Sequence, residues 1–189
     1  MEKEKIGFAL TGSFCTFSKV FPEIEKLAEE YEIVPIMSEK SATTDTRFGK
    51  CEDHKKRLSE ITGREVLESI NEVEPIGPKK MLSALIVAPC TGNTIAKIAN
   101  GIADSSVTLA VKSHLRNSRP VIIAVSTNDG LGGNAKNIGL LMNMKNIYLV
   151  PFGQDDCVEK KKSLVADMEK IEETLKEALL GKQIQPLLI

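Results

Sequence analysis

Five short apolar runs, separated by helical or polar stretches, constrain this chain more than any other feature of its sequence. They are Ile6–Leu10, Glu32–Met37, Leu82–Ala88, Pro120–Val125 and Asn146–Val150. A strand with one wet face alternates polar and apolar residues. Runs this short and this continuously apolar belong to strands buried on both faces, as in a parallel sheet. Pro35 gives the second run an edge or irregular position, because proline cannot donate to a ladder. Between the first two runs, Val20, Phe21, Ile24, Leu27, Ala28 and Tyr31 recur at helical spacing, with Pro22 placed near that helix's first turn. Helices are also read at Arg64–Ile70, Asn93–Asn100 and Ser105–Arg116, and from the glycine-rich turn Gly130–Gly133 to Lys145. In the last helix Leu164, Met168, Ile171, Leu175 and Leu179 share one stripe. The alternation predicts an α/β protein: a three-layer α/β/α, Rossmann-like open parallel sheet with right-handed connections.

The 189 residues contain no repeat and no interior linker, so one domain over 1–189 is expected, closing with a helix and an apolar tail. That tail, Gln183–Ile189, is expected to dock on its own domain or on a neighbouring subunit. A formal net charge of −1 gives no overall pull on nucleic acid or anionic membrane. The short runs Lys79-Lys80 and Lys160-Lys161-Lys162 read as solvated surface. Neither a signal peptide nor a membrane span is expected, and the chain is read as cytoplasmic. Cys15, Cys51, Cys90 and Cys157 are widely spaced, and His54 and His114 are the only histidines. Free thiols and no metal site follow. Cys15 is expected to be a small buried filler, His114 structural and His54 exposed.

Ligands of open parallel sheets bind beyond the carboxyl ends of the strands. Three such ends carry small hydroxyl and glycine residues: Thr11-Gly12-Ser13, then Ser38 with Ser41, Thr43 and Thr44, then Thr91-Gly92-Asn93-Thr94. Small residues let backbone N–H groups approach an anion, and a following helix N-terminus favours it. Converging, the three would make a phosphate pocket that needs no lysine. Singly, they are also ordinary turn and cap residues, and both readings stay open. The polar stretch from Ser38 to Gly63 has no clear period and reads as a long functional loop. Neither the nucleotide P-loop pattern nor the dinucleotide glycine pattern occurs.

A longer segment adds to this. Val87-Ala-Pro-Cys-Thr-Gly-Asn-Thr-Ile-Ala-Lys-Ile-Ala-Asn-Gly-Ile-Ala-Asp-Ser105 resembles the signature segment of the FMN-binding flavoproteins. That family includes flavin-containing cysteine decarboxylases and flavin prenyltransferases. Its segment reads P-A-S-A-N-T or P-A-T-A-N-T, and this chain departs from it at Cys90 and Gly92. The resemblance implies that Thr91, Asn93 and Thr94 contact the flavin or its phosphate. It also implies that Gly12, Ser13 and Ser38 contact the FMN phosphate and ribityl groups. Pro89 and Gly92 complete the segment, and Ser126 and Asn128 stand on the next strand end. Blocks at Gly7–Thr16, Thr43–Lys50, Glu74–Lys80, Leu115–Pro120, Ser126–Asp129 and Lys145–Asp156 further resemble the family of dipicolinate synthase B subunits. What that implies is dipicolinic acid formation in the mother cell of a sporulating bacterium, with a separate A subunit, a small dicarboxylate substrate and a homo-oligomeric assembly.

The resembling decarboxylases carry a histidine near position 75, where this chain has Glu74-Pro75, and a P-x-M-N segment where it has Val125-Ser-Thr-Asn128. Cysteine-type decarboxylation is therefore not expected, and prenyl transfer has no special support. Oxidation of a dihydro- or tetrahydrodipicolinate-type precursor needs a carboxylate clamp and an acid/base. Arg47 is the candidate clamp, with Lys50 and Arg116 as second choices, and Asp45 or Asp129 the candidate acid/base. Each is equally readable as a surface residue or local ion pair. The competing reading is a non-catalytic subunit that binds flavin or stabilises an NAD(P)-dependent A subunit.

Overall fold

The computed structural model describes residues 3–189. Its sheet is built from β1 (Lys5–Leu10), β2 (Glu32–Met37), β3 (Ala84–Cys90), β4 (Val121–Thr127), β5 (Ile147–Leu149), β6 (Phe152–Asp156) and β7 (Lys160–Ala166). The spatial order is β2-β1-β3-β4-β7-β6, with β5 also paired to β4. The first five strands run parallel, and β3 is buried along its whole length. Continuous apolarity therefore has the predicted meaning: both faces of the central strands are covered. Pro35 lies on the edge strand β2, where its carbonyl accepts from Leu67 N–H at 3.0 Å.

The helices are α1 (Phe17–Glu30), α2 (Glu39–Thr43), α3 (Cys51–Thr62), α4 (Ile70–Val73), α5 (Gly92–Ala99), α6 (Ser106–Arg116), α7 (Ala135–Met142) and α8 (Ile171–Leu179). α1 and α8 pack on one face of the sheet with α3 beside α1; α5, α6 and α7 cover the other. This is the expected three-layer arrangement.

Several expectations are corrected. The sheet is not purely parallel, because β6 and β7 form an antiparallel hairpin whose second strand pairs Ser126 and Thr127 of β4. Leu164 lies on β7, not on the last helix. A single apolar spacing continued across two elements gave it helical phase. Ser38–Gly63 is not one loop: it holds α2 and α3. In α3 the inward stripe is His54, Leu58 and Ile61, and counting histidine as polar hid that period. His54 is correspondingly half-buried, stacked on Phe21 and edge-on to Phe17. Residues 64–69 are not helical; Leu67 bridges to β2, and α4 begins at Ile70 behind a Ser69–Glu72 capping box. Pro22 sits inside α1, not in its first turn, because that helix begins at Phe17. Cys15 is exposed rather than buried, and all four cysteines are free. The tail docks on its own domain: Phe152 donates to the Leu187 carbonyl and accepts from Ile189 N–H.

His114 on α6 is 1% exposed, and its Nε2 has no partner. Burial, aided by the nearby Arg119 charge, pushes its pKa down to about 4. Above pH ~6.5 the imidazole is neutral in both folded and unfolded chains. Below that the unfolded chain binds a proton that the folded chain refuses, so stability is lost as pH falls from 6.5 toward 4. The difference amounts to about 3 kcal/mol. Urea unfolding at pH 7 and pH 4.5 should show the wild type losing about 2–3 kcal/mol more than His114→Gln.

Candidate functional site

The site begins with a defect in the sheet. The β3–β4 register shifts between Val87 and Cys90, and Pro89 lies inside the shift with no N–H to give. The backbone there needs a partner from elsewhere, and Thr11 at the end of β1 supplies it. The Thr11 hydroxyl donates to the Pro89 carbonyl at 2.7 Å and accepts from Thr91 N–H at 3.0 Å. Thr11 is 1% exposed, so the exchange is shielded from water. It fixes the end of β3 against the end of β1 and sets where α5 starts. Thr91 then caps α5, accepting from Thr94 N–H at 3.4 Å, and its hydroxyl lies 3.0 Å from that of Thr94. Ser38 caps α2 in the same way, accepting from Ser41 N–H at 3.3 Å.

Two adjoining chambers open above these strand ends. The first, about 510 Å³, is walled by Phe14, Phe48, Gly12, Gly92, Asn93 and Asn128. The second, about 690 Å³, is lined by Ser38, Lys40, Thr44, Thr94, Lys97 and Ser105. Gly12, Phe14, Thr91 and Asn93 belong to both. Lys97 is paired with Asp104 at 2.8 Å. Lys40 makes no ion pair among the described residues, and Glu39 and Asp104 are the carboxylates on the same wall. Phe48 is brought to the first chamber by a tight turn in which Thr46 and Gly49 exchange backbone hydrogen bonds. Gly49 has φ +136°, and a Cβ there would come within 2.8 Å of the His54 ring. The turn thus rests directly on an imidazole whose pKa burial pushes down.

Beside the first chamber, the hydroxyls of Ser13, Thr16 and Ser126 form a cluster: Ser126 lies 2.7 Å from Ser13 and 2.9 Å from Thr16. Asp129 takes the Thr127 hydroxyl at 2.6 Å and the Asn134 amide at 2.8 and 3.0 Å. Those bonds hold its carboxyl below the usual carboxylate range.

Of the residues singled out from sequence, Gly12, Ser13, Thr91, Gly92, Asn93, Ser126, Asn128 and Asp129 line the first chamber. Ser38 and Thr94 line the second. Pro89 is buried, and the carbonyl it offers is taken by Thr11. Asp45 and Arg47 are exposed and line neither chamber. Asp45 accepts from Cys51 N–H at 2.9 Å at the start of α3, which lowers its pKa. The Arg47 guanidinium lies over the Phe48 ring at 4.8 Å. Sequence reasoning missed Phe14, Lys40, Phe48 and Asn134. Phe48 lies in the segment Thr43–Lys50, but nothing in its neighbours marks it as a wall.

The chain matches the family described as Flavoprotein over residues 1–180. It is 44% identical to the B subunit of dipicolinate synthase from Bacillus subtilis (strain 168), over 100% of this chain and 95% of that protein. The crystal structure of the dipicolinate synthase B subunit from Bacillus halodurans C has a TM-score of 0.90 and 44% identity, covering 100% of this chain and 98% of that one. The FMN-binding protein AtHal3 has a TM-score of 0.66 at 18% identity, covering 93% of this chain and 96% of that one, which is a likeness of fold.

Replacing Thr11 with valine should leave the Thr91 N–H and Pro89 carbonyl without their partner in a dry setting. We expect a loss of about 1–3 kcal/mol in urea unfolding, recovered largely by Thr11→Ser.

Proposed function

The chain belongs to the flavoprotein family, and from that premise we propose that it holds FMN in the two-chambered cleft as the B subunit of a dipicolinate synthase. In this reading it acts with an A subunit in oxidising a dihydro- or tetrahydrodipicolinate-type precursor during sporulation. Identity of 44% over essentially the full length of both chains supports the subunit assignment. The observation that carries the cofactor is the division of the cleft. Phe48, with Phe14 shared between the chambers, stands beside a chamber of Ser38, Thr44, Thr94 and Ser105 hydroxyls and Lys40, unpaired among the described residues; this suits a ligand with a flat aromatic end and a phosphate end. FMN is such a ligand, and when bound it supplies a ring able to accept hydride.

The roles of the chain's own groups follow from their positions. Ser38, Thr44, Thr94 and Lys40 would receive the phosphate. Phe14 and Phe48 would flank the ring and keep water from it. The Ser13 and Ser126 hydroxyls, engaged with each other and with Thr16, would hold that wall of the first chamber in place. A general acid/base is less well provided. Asp129 is held ionised by two donors, while Asp45 and Arg47 are exposed and line neither chamber. This favours keeping the second reading, in which the chain binds flavin or stabilises an NAD(P)-dependent A subunit without itself moving protons.

The purified chain mixed with FMN should retain a flavin absorption band through gel filtration, and Lys40→Met should weaken FMN binding about tenfold. A colourless protein would overturn the cofactor assignment. With flavin bound, dipicolinate formation by the A subunit that is indifferent to FMN removal would favour the second reading over the first.

A further inference from the structure

Gly92 stands where the resembling flavoprotein segment has alanine, and the neighbours of its Cα explain why. A Cβ there would lie 2.5 Å from Asn134 Nδ2, 2.5 Å from Thr127 Oγ1 and 2.9 Å from Asp129 Oδ1. The space that a methyl group would take is occupied by the Asp129 network. The network is rigid by construction. Asn137, 5% exposed, donates to Asn134 Oδ1 at 2.9 Å, which fixes the Asn134 amide so that its nitrogen faces Asp129. Thr127 holds the carboxylate from the other side. The Asp129 carboxylate therefore rests over the first residue of α5, filling with the protein's own anion a place that a ligand phosphate would otherwise favour.

Asp129 also borders the first chamber beside Asn128. Its oxygens keep lone pairs beyond those used by Thr127 and Asn134. We propose that the two ends of the cleft differ in what they accept: the Asp129 end rejects phosphate and carboxylate groups and takes a neutral ring edge bearing an N–H. On this account Asp129 is a specificity residue that touches the ligand, and Gly92 is the residue that gives it room. The pyrimidine edge of a flavin, an N–H between two carbonyls, has the matching chemistry. Asp129 would accept from that N–H, and the Asn128 amide would donate to an adjoining carbonyl. The inference rests on the flavin reading above and adds the orientation: ring edge toward Asp129, phosphate toward Lys40.

Riboflavin and FMN share the ring and differ in the phosphate, so comparing them separates the two ends. Asp129→Asn should weaken both ligands by the same factor, about tenfold, in a titration of flavin fluorescence. Thr127→Val, which keeps the charge but loosens its hold, should weaken both equally and by less. Unchanged affinity for both ligands in Asp129→Asn overturns the proposal. So does tighter FMN binding with riboflavin unchanged, because the phosphate would then lie beside Asp129. A wild-type chain that binds neither flavin overturns the cofactor reading and this inference together.

Discussion

One threonine hydroxyl ties together the two strand ends on which the cleft is hung. A proline at the end of a central parallel strand leaves a gap in the ladder, and Thr11 closes it by donating to Pro89 and accepting from Thr91. That exchange extends the β1–β3 pairing by a side-chain tie to the start of α5. The glycine loop at Gly12-Ser13 and the α5 cap at Thr91 lie on either side of this tie. The interaction also explains why a polar side chain is tolerated at 1% exposure in an apolar core: both of its hydrogen-bonding roles are filled.

Around this tie the cleft acquires its polarity. One end carries hydroxyls with Lys40 and Lys97 against Glu39 and Asp104, the other the Asp129 carboxylate, held ionised by the Thr127 hydroxyl and the Asn134 amide. The segment Ala88–Thr94, which in sequence reads as a phosphate loop, thus does two jobs. Its cap residues face the hydroxyl chamber, and its glycine makes way for Asp129. At the position where the resembling segment has alanine, a Cβ would collide with Thr127, Asp129 and Asn134, so the glycine and the Asp129 network go together.

Much of the fold was legible because burial on both faces leaves an unmistakable mark: the continuous apolar runs became β1 to β5 to within a few residues. What was not legible had specific causes. The β6–β7 hairpin has three consecutive lysines at the start of β7, and Leu164 fell by chance in phase with the helix that follows. Helix α3 buries a histidine where an apolar residue would have announced it. Of the site, the hydroxyl and glycine strand ends were readable from residue type. Phe14, Phe48, Lys40 and Asn134 were not, since their part in the cleft depends on tertiary placement. Asp45 and Arg47 looked chemical because they sit in a polar stretch. In the fold the first accepts from the Cys51 N–H at the start of α3 and the second covers an aromatic ring at the surface.

The central claim is that the strand ends organised by Thr11 form a cleft whose two ends receive opposite ends of one ligand. A crystal structure of the chain grown with FMN tests it most directly. The expected result has the phosphate within hydrogen-bonding distance of Ser38 and Lys40, with the ring between Phe14 and Phe48 and its N–H edge on Asp129. A phosphate seated on the amides of Gly92 and Asn93 beside Asp129, or a flavin outside the two chambers, would contradict it.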